Sequence, residues 1–284
     1  MPRGPALWLA VALLGAAAGP VSAELRARAL PVRYDLTAEP GRAVQREITI
    51  SNQGDAAVVV QPRWSDMTVD TAGRIGLLPP GTLPVSLASV ASVEPAQFSL
   101  QPGEEGRVLV TLTLPADGPP TLWGVLLNEV RPAVVPAVTL GPLVVGQLGT
   151  TFYLSRIPRE RIQPELTGLS GAPLGGDSIC IRASVNNPGE RHFHVGGRVS
   201  PADSAGRAVL TGELPTGVVL PGQTRHLTWT GGAGPPPGRY LLTATLDSGE
   251  PELIVGETWM DWHGGTPSAP GPRTAGAPAP PGRR

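Results

Sequence analysis

The sequence contains no lysine and only one cysteine. The single Cys180 excludes an internal disulfide bond, because a disulfide needs two thiols. All 22 basic residues are arginines, and 23 acidic residues bring the formal net charge to −1. These arginines form no basic stripe along the chain, so a nucleic acid is not an expected partner.

Recognisable catalytic motifs are also missing. There is no glycine-rich phosphate loop between a strand and a helix, and no nucleophile elbow around a serine. His192 and His194 lie on one face of a predicted strand, which is a spacing for two metal ligands. No Asp, Glu or Cys is placed to complete such a site in the neighbouring sequence. We therefore expect a protein that is not an enzyme and uses neither a cofactor nor a metal.

Only one long apolar run is present, from Ala6 to Ala18. Arg3 precedes it, and Val21-Ser22-Ala23 supplies the small residues that signal peptidase needs. The run is too short to span a bilayer comfortably, so it predicts a cleaved signal peptide over residues 1–23 rather than a retained anchor. We expect the mature protein to be soluble in the periplasm and not to span the membrane.

Glycine and proline are abundant, with 37 and 34 residues in a chain of 284. This composition almost excludes helices and favours two domains that are rich in turns. From Gly264 onward the chain is mostly Pro, Gly, Ala and Arg, which cannot bury a core, so we expect a disordered tail over residues 264–284.

A cassette of strand and turn signals occurs twice in the same order. The first copy has an alternating strand that ends at Asn52-Gln53-Gly54-Asp55, and a later turn at Pro102-Gly103. The second copy has the corresponding turns at Asn187-Pro188-Gly189-Glu190 and Pro221-Gly222. The repeat predicts an all-β protein made of two tandem immunoglobulin-like β-sandwiches. We expect domains over residues 24–155 and 165–263, joined by a connector over residues 156–164.

The first copy contains, in this order, a strand entering Ser51-Asn52, a return strand ending in Trp64, the run Val93–Glu104, and Leu114-Pro115 before Leu122-Trp123. Over roughly residues 30 to 135, this order resembles the N-terminal domain of the periplasmic pilus-assembly chaperones. The second domain is only generically immunoglobulin-like. Residues 66–94 form a longer connection than in the second copy, which predicts either a functional loop or an extra edge hairpin.

The longest period-two stretch runs from residue 138 to residue 154. One parity is apolar and holds Val138, Leu140, Val144, Leu148, Phe152 and Leu154. In the resembled chaperones, the last strand of the first domain is lent to an unfinished pilus subunit. The resemblance implies that Val144, Leu148, Phe152 and Leu154 contact such a partner. The alternative is that this parity fills only the protein's own core.

The resembled chaperones also hold the subunit's terminal carboxylate with a basic pair in the interdomain cleft. The resemblance assigns the first basic role to Arg33, but Thr150 and Thr151 stand where the family has a lysine. Arg156 of the connector could supply a second guanidinium, which binds carboxylates in a bidentate manner. A solvated hinge is the alternative explanation for the connector arginines.

The function implied by the resemblance is that of a periplasmic chaperone. It would bind exported pilin-like subunits by β-strand complementation and assist their folding and assembly, with an outer-membrane usher as a second partner. The alternative is a non-catalytic immunoglobulin-like module for interactions at the envelope or cell surface.

We predict that export removes the first 23 residues. Mass spectrometry of the protein recovered from the periplasmic fraction should show a chain that begins at Glu24. Recovery of an integral membrane protein that still carries Met1–Ala23 would contradict this prediction.

Overall fold

The computed structural model describes residues 25–134, 144–158, 161–175 and 177–264. The predicted signal peptide, residues 138–143 of the alternating stretch and residues 265–284 of the predicted tail lie outside the described residues. Every regular element within the described ranges is a β-strand, so these ranges contain no helix long and apolar enough to cross a membrane.

The first ten strands build one sandwich. They are β1 (Ala27–Leu30), β2 (Arg33–Ala38), β3 (Ala43–Asn52), β4 (Val58–Val69), β5 (Ile75–Leu78), β6 (Ala91–Glu94), β7 (Phe98–Leu100), β8 (Glu105–Thr113), β9 (Thr121–Pro132) and β10 (Gly146–Arg156). One sheet has the order β1-β3-β8-β6, and the other has the order β2-β10-β9-β4-β5, with β7 also paired to β4.

The remaining seven strands build a second sandwich. They are β11 (Glu165–Gly175), β12 (Ser178–Asn186), β13 (Phe193–Ala202), β14 (Gly212–Val219), β15 (Thr224–Ala233), β16 (Gly238–Asp247) and β17 (Ile254–Trp262). Its sheets have the orders β11-β12-β15 and β14-β13-β16-β17. The predicted all-β fold of two immunoglobulin-like sandwiches is confirmed.

Alternation along the strands separates the cores from the surface. In β3, Ile48 and Ile50 are fully buried, and in β12 the corresponding pair Ala183 and Val185 is fully buried as well. Each isoleucine or valine among them contributes roughly 1.5–3 kcal/mol when it leaves water, so these residues belong to the stability of the two sandwiches.

A buried asparagine joins two turns in each sandwich. The Asn52 side-chain amide donates hydrogen bonds to the carbonyls of Ala56 and Leu100, and its oxygen accepts one from the Gly54 N–H. Asn187 makes the equivalent bonds, to the carbonyls of Arg191 and Val219 and from the Gly189 N–H. The repeated cassette of the sequence is therefore a repeated hydrogen-bond network in the structure.

Residues 66–94 contain the extra hairpin that was one of the two predicted alternatives. β4 continues to Val69 and turns back into β5, with residues 66–69 of β4 paired to β5. The loop that follows is held by the buried carboxylate of Asp66, which accepts hydrogen bonds from the Leu83 N–H and the Ser86 hydroxyl.

We predict that Asn52→Ala lowers the free energy of unfolding by at least about 2 kcal/mol, because buried carbonyls and an N–H lose their partner. Denaturant unfolding monitored by circular dichroism measures the change. Gln53→Ala is the matched control, since this neighbouring side chain is exposed and should change stability by no more than about 0.5 kcal/mol. Equal effects of the two substitutions would contradict the structural role of the asparagine.

Candidate functional site

Strand β10 is paired differently along its two halves. It pairs with β9 along its whole length, from Gly146 opposite Val130 to Ser155 opposite Thr121. The parallel strand β2 joins its other edge only from Thr151 onward. No described strand pairs with that edge between residues 146 and 150, so the first half of β10 presents an open backbone edge.

The apolar side chains at alternate positions from residue 144 to residue 154 become steadily more buried along the chain. Val144, just before β10, is 62% exposed, Leu148 is half-buried against the first core, and Phe152 and Leu154 are fully buried. Phe152 and Leu154 thus fill the protein's own core in this structure. Neither side chain has exposed surface for the predicted contact with a partner.

The Phe152 ring anchors the buried half of β10. Its centroid lies 5.1 Å from that of Tyr34 and 5.4 Å from that of Trp64, so it packs among aromatic rings of β2 and β4. Aromatic pairs of this kind add to the stability gained by burial. The point at which β10 changes from open to enclosed is therefore fixed by packing as well as by pairing.

Arg33 and Arg156 lie at different places along β10. Arg33 begins β2 and is paired with Thr151, where the open edge ends, whereas Arg156 is the last residue of β10. Five residues of extended strand separate the two levels by roughly 16 Å along β10. In this structure Arg156 donates a 3.0 Å hydrogen bond to the carbonyl of Ala116 in its own sandwich.

The two sandwiches meet through an apolar cluster. Its buried members come from β4, β9 and β10 of the first sandwich and from the turn after β14 in the second; they are Met67, Val69, Trp123, Val125, Tyr153 and Leu220. The tip of the β4–β5 hairpin adds a backbone hydrogen bond of 2.7 Å from the His226 N–H to the Thr71 carbonyl. The extra hairpin thus helps to dock the second sandwich on the first.

The hairpin tip also explains why residue 73 is a glycine. Gly73 has a φ of 88°, which favours glycine, and the Arg225 guanidinium lies so close that any Cβ at this position would collide with it. A side chain here would require the Arg225 guanidinium to move away from the hairpin tip.

A polar cluster lies on the cleft side of the same interface. Nε2 of His192 is 2.9 Å from Oδ1 of Asp35, and Nδ1 of His194 is 3.8 Å from that same oxygen. The other carboxylate oxygen, Oδ2, is 2.9 Å from Nε of Arg33. The Tyr153 ring stacks on His192, with centroids 4.4 Å apart, and meets His194 edge-on. Asp35, His192 and His194 border a cavity of about 210 Å³ between the sandwiches.

Burial and the neighbouring charges set the protonation of this cluster. Burial lowers the pKa of His194 to about 4 against the opposing effect of Asp35, so the imidazole is neutral near pH 7. Burial also raises the pKa of Tyr153 to about 12, with a further increase from Asp35, so the phenol keeps its proton. Burial opposes ionisation of Asp35, but the hydrogen bond from His192, with His194 and Arg33 nearby, outweighs it and lowers the pKa of that carboxyl.

The sequence pointed to the two histidines but not to their acidic partner. The expectation of no metal site rested on the lack of a suitable acidic residue in the neighbouring sequence. Folding brings Asp35 to His192 from 157 residues earlier in the chain. Only the docking of one sandwich on the other creates this cluster, so no local sequence pattern could have revealed it.

No protein-family model matches the chain, and no curated protein matches it. Similar solved structures include the CsuC–CsuE chaperone–tip adhesion subunit complex of Csu pili from Acinetobacter baumannii, at 12% identity and a TM-score of 0.44, covering 81% of this chain and 97% of that one. The Salmonella enterica SafA pilin–SafB chaperone complex has 14% identity and a TM-score of 0.44, covering 82% and 96%. The class 5 fimbriae chaperone CfaA has 11% identity and a TM-score of 0.43, covering 82% and 98%.

These similar structures are of pilus chaperones and chaperone–subunit complexes, the family that the motifs of the first domain resemble. The two-sandwich fold of this chain is established by its own sheets and does not depend on the comparison.

We predict that Leu220→Ala loosens the docking of the two sandwiches, because this fully buried leucine fills the apolar cluster between them. Truncation of a buried leucine typically costs about 2–5 kcal/mol. Limited proteolysis should cut the connector between residues 157 and 164 faster in the variant.

The matched control is Val255→Ala, whose side chain is 60% exposed on the second sandwich and should leave the cleavage rate unchanged. Equal cleavage of the wild type and Leu220→Ala would contradict a docking role for the cluster.

Proposed function

We propose that the protein is a periplasmic chaperone that binds exported, pilin-like subunits by β-strand complementation and assists their assembly. The observation that carries the proposal is the open edge of β10. Residues 146–150 are paired on one side by β9 and are not paired by a described strand on the other, although β1 lies near β10 and the Thr150 hydroxyl donates to the Pro31 carbonyl. An unpaired strand edge offers a row of N–H and C=O groups to a strand of a second protein.

Apolar side chains beside this edge support the proposal. Val144 is 62% exposed just before β10, and Leu148 is only half-buried. Backbone hydrogen bonds give affinity in strand addition, whereas alternate side chains that enter the partner's groove give specificity. In this proposal Val144 and Leu148 are the two side chains that enter a subunit lacking a strand.

In this proposal, Arg33 recognises the end of a bound strand. A partner strand that runs parallel to β10 along the open edge must stop where β2 begins, at the level of Arg33. Its terminal carboxylate would then meet the guanidinium, in a charge-assisted hydrogen bond. Arg33 already contacts Asp35, and both side chains remain partly exposed, so the guanidinium stays accessible to a carboxylate. An outer-membrane usher would be the further partner that receives the loaded chaperone.

We predict that Val144→Glu abolishes capture of a co-expressed pilin-like subunit and leaves the thermal melt unchanged. A charge costs several kcal/mol in an apolar groove but little at a position that is 62% exposed in the free protein. Periplasmic pull-down and a thermal melt of the same preparation measure the two effects. Leu148→Glu should also abolish capture, with a lower melting temperature because this side chain packs partly on the core.

Val145→Glu is the matched control, since it introduces the same charge at the neighbouring position of opposite parity. Arg33→Ala should weaken capture less than Val144→Glu, because it removes one anchor and leaves the strand intact. Full capture by both Val144→Glu and Leu148→Glu would refute strand lending. It would favour a module that binds folded partners at the envelope.

A further inference from the structure

Two histidines of the second sandwich and one carboxylate of the first converge in the interdomain cleft. One ring nitrogen each of His192 and His194 and one carboxylate oxygen of Asp35 all lie within 4.8 Å of one another. A single oxygen, Oδ1 of Asp35, faces both rings, at 2.9 Å from His192 and 3.8 Å from His194. These three donors are contributed by both sandwiches and do not include the open edge of β10.

We propose that Asp35, His192 and His194 bind a divalent transition-metal ion of the Zn²⁺ class across the interface between the sandwiches. Two imidazoles and one carboxylate form a donor set typical of three-ligand zinc sites. Mg²⁺ and Ca²⁺ prefer oxygen ligands, so they are not the metals that this set would select. The site stands independently of the proposed chaperone function.

The spacing of the donors fits such an ion after a small movement. In a tetrahedral site with bonds of about 2.1 Å, neighbouring ligand atoms lie roughly 3.4 Å apart. The distances of 2.9 and 3.8 Å from Asp35 to the two rings fall on either side of that value. Entry of the metal would replace the hydrogen bond between His192 and Asp35.

Neighbouring side chains hold the carboxylate and the two rings in place. The Arg33 guanidinium binds the second carboxylate oxygen at 2.9 Å, which leaves the first oxygen directed to the histidines. The Tyr153 ring contacts both imidazoles and restricts their orientation. The cavity of about 210 Å³ beside them leaves room for water or another small ligand at a fourth position.

Titration of untagged, chelator-stripped protein with Zn²⁺ in a calorimeter tests the proposal. The wild type should bind one ion in a saturable manner and should melt at a higher temperature with Zn²⁺, because a ligand that binds only the folded state stabilises it. Mg²⁺ should produce neither effect. Asp35→Asn, His192→Gln and His194→Gln should each weaken Zn²⁺ binding by at least about tenfold.

Circular dichroism and thermal melts check that each variant is folded. His192 is buried, so Asp35→Asn and His194→Gln, with side chains 39% and 21% exposed, carry the test if His192→Gln does not fold. His226→Gln is the matched control, because this histidine lies on β15 with its Nδ1 2.9 Å from the Ser184 hydroxyl, and its loss should not change Zn²⁺ affinity. Absence of saturable binding to the wild type, or equal affinity in the folded Asp35→Asn and His194→Gln variants, would overturn the proposal and leave a metal-free interdomain hydrogen bond.

Discussion

The enclosed half of β10 is the segment on which both the first core and the interdomain contact depend. From Thr151 onward it is paired on both edges, by β9 and by β2. Its side chains are buried on both faces, since Phe152 enters the first core and Tyr153 enters the cluster between the sandwiches. A segment that is paired on both edges and largely buried on both faces is held firmly, and it fixes the position of the open half that precedes it.

The docking of the second sandwich determines what lies in the cleft. The apolar cluster around Tyr153 and Leu220 brings the start of β13 against β2, so His192 and His194 reach Asp35. The β4–β5 hairpin adds a further contact between the sandwiches through its backbone hydrogen bond with His226. The open edge and the polar cluster therefore occupy fixed positions relative to each other.

The sequence predicted those parts of the structure that depend on local bonding. Asn52 and Asn187 stand in the same local pattern, and each makes the same bonds, so the repeat could be found without knowledge of the fold. The alternation of the sequence predicted that Val144 and Phe152 lie on the same face of one strand. It could not predict that one is exposed and the other buried, because this depends on where the distant strand β2 begins to pair. The contact of Asp35 with His192 likewise depends on the docking of two sandwiches.

The central claim is that the open edge of β10 is where a second protein adds a strand. Hydrogen exchange at the backbone amides of residues 146–150, measured with and without a bound pilin-like subunit, tests it most directly. The account predicts that amides on the open edge exchange rapidly in the free protein and become protected in the complex, with little change at residues 152–154. Protection that appears elsewhere while residues 146–150 exchange as before would contradict it.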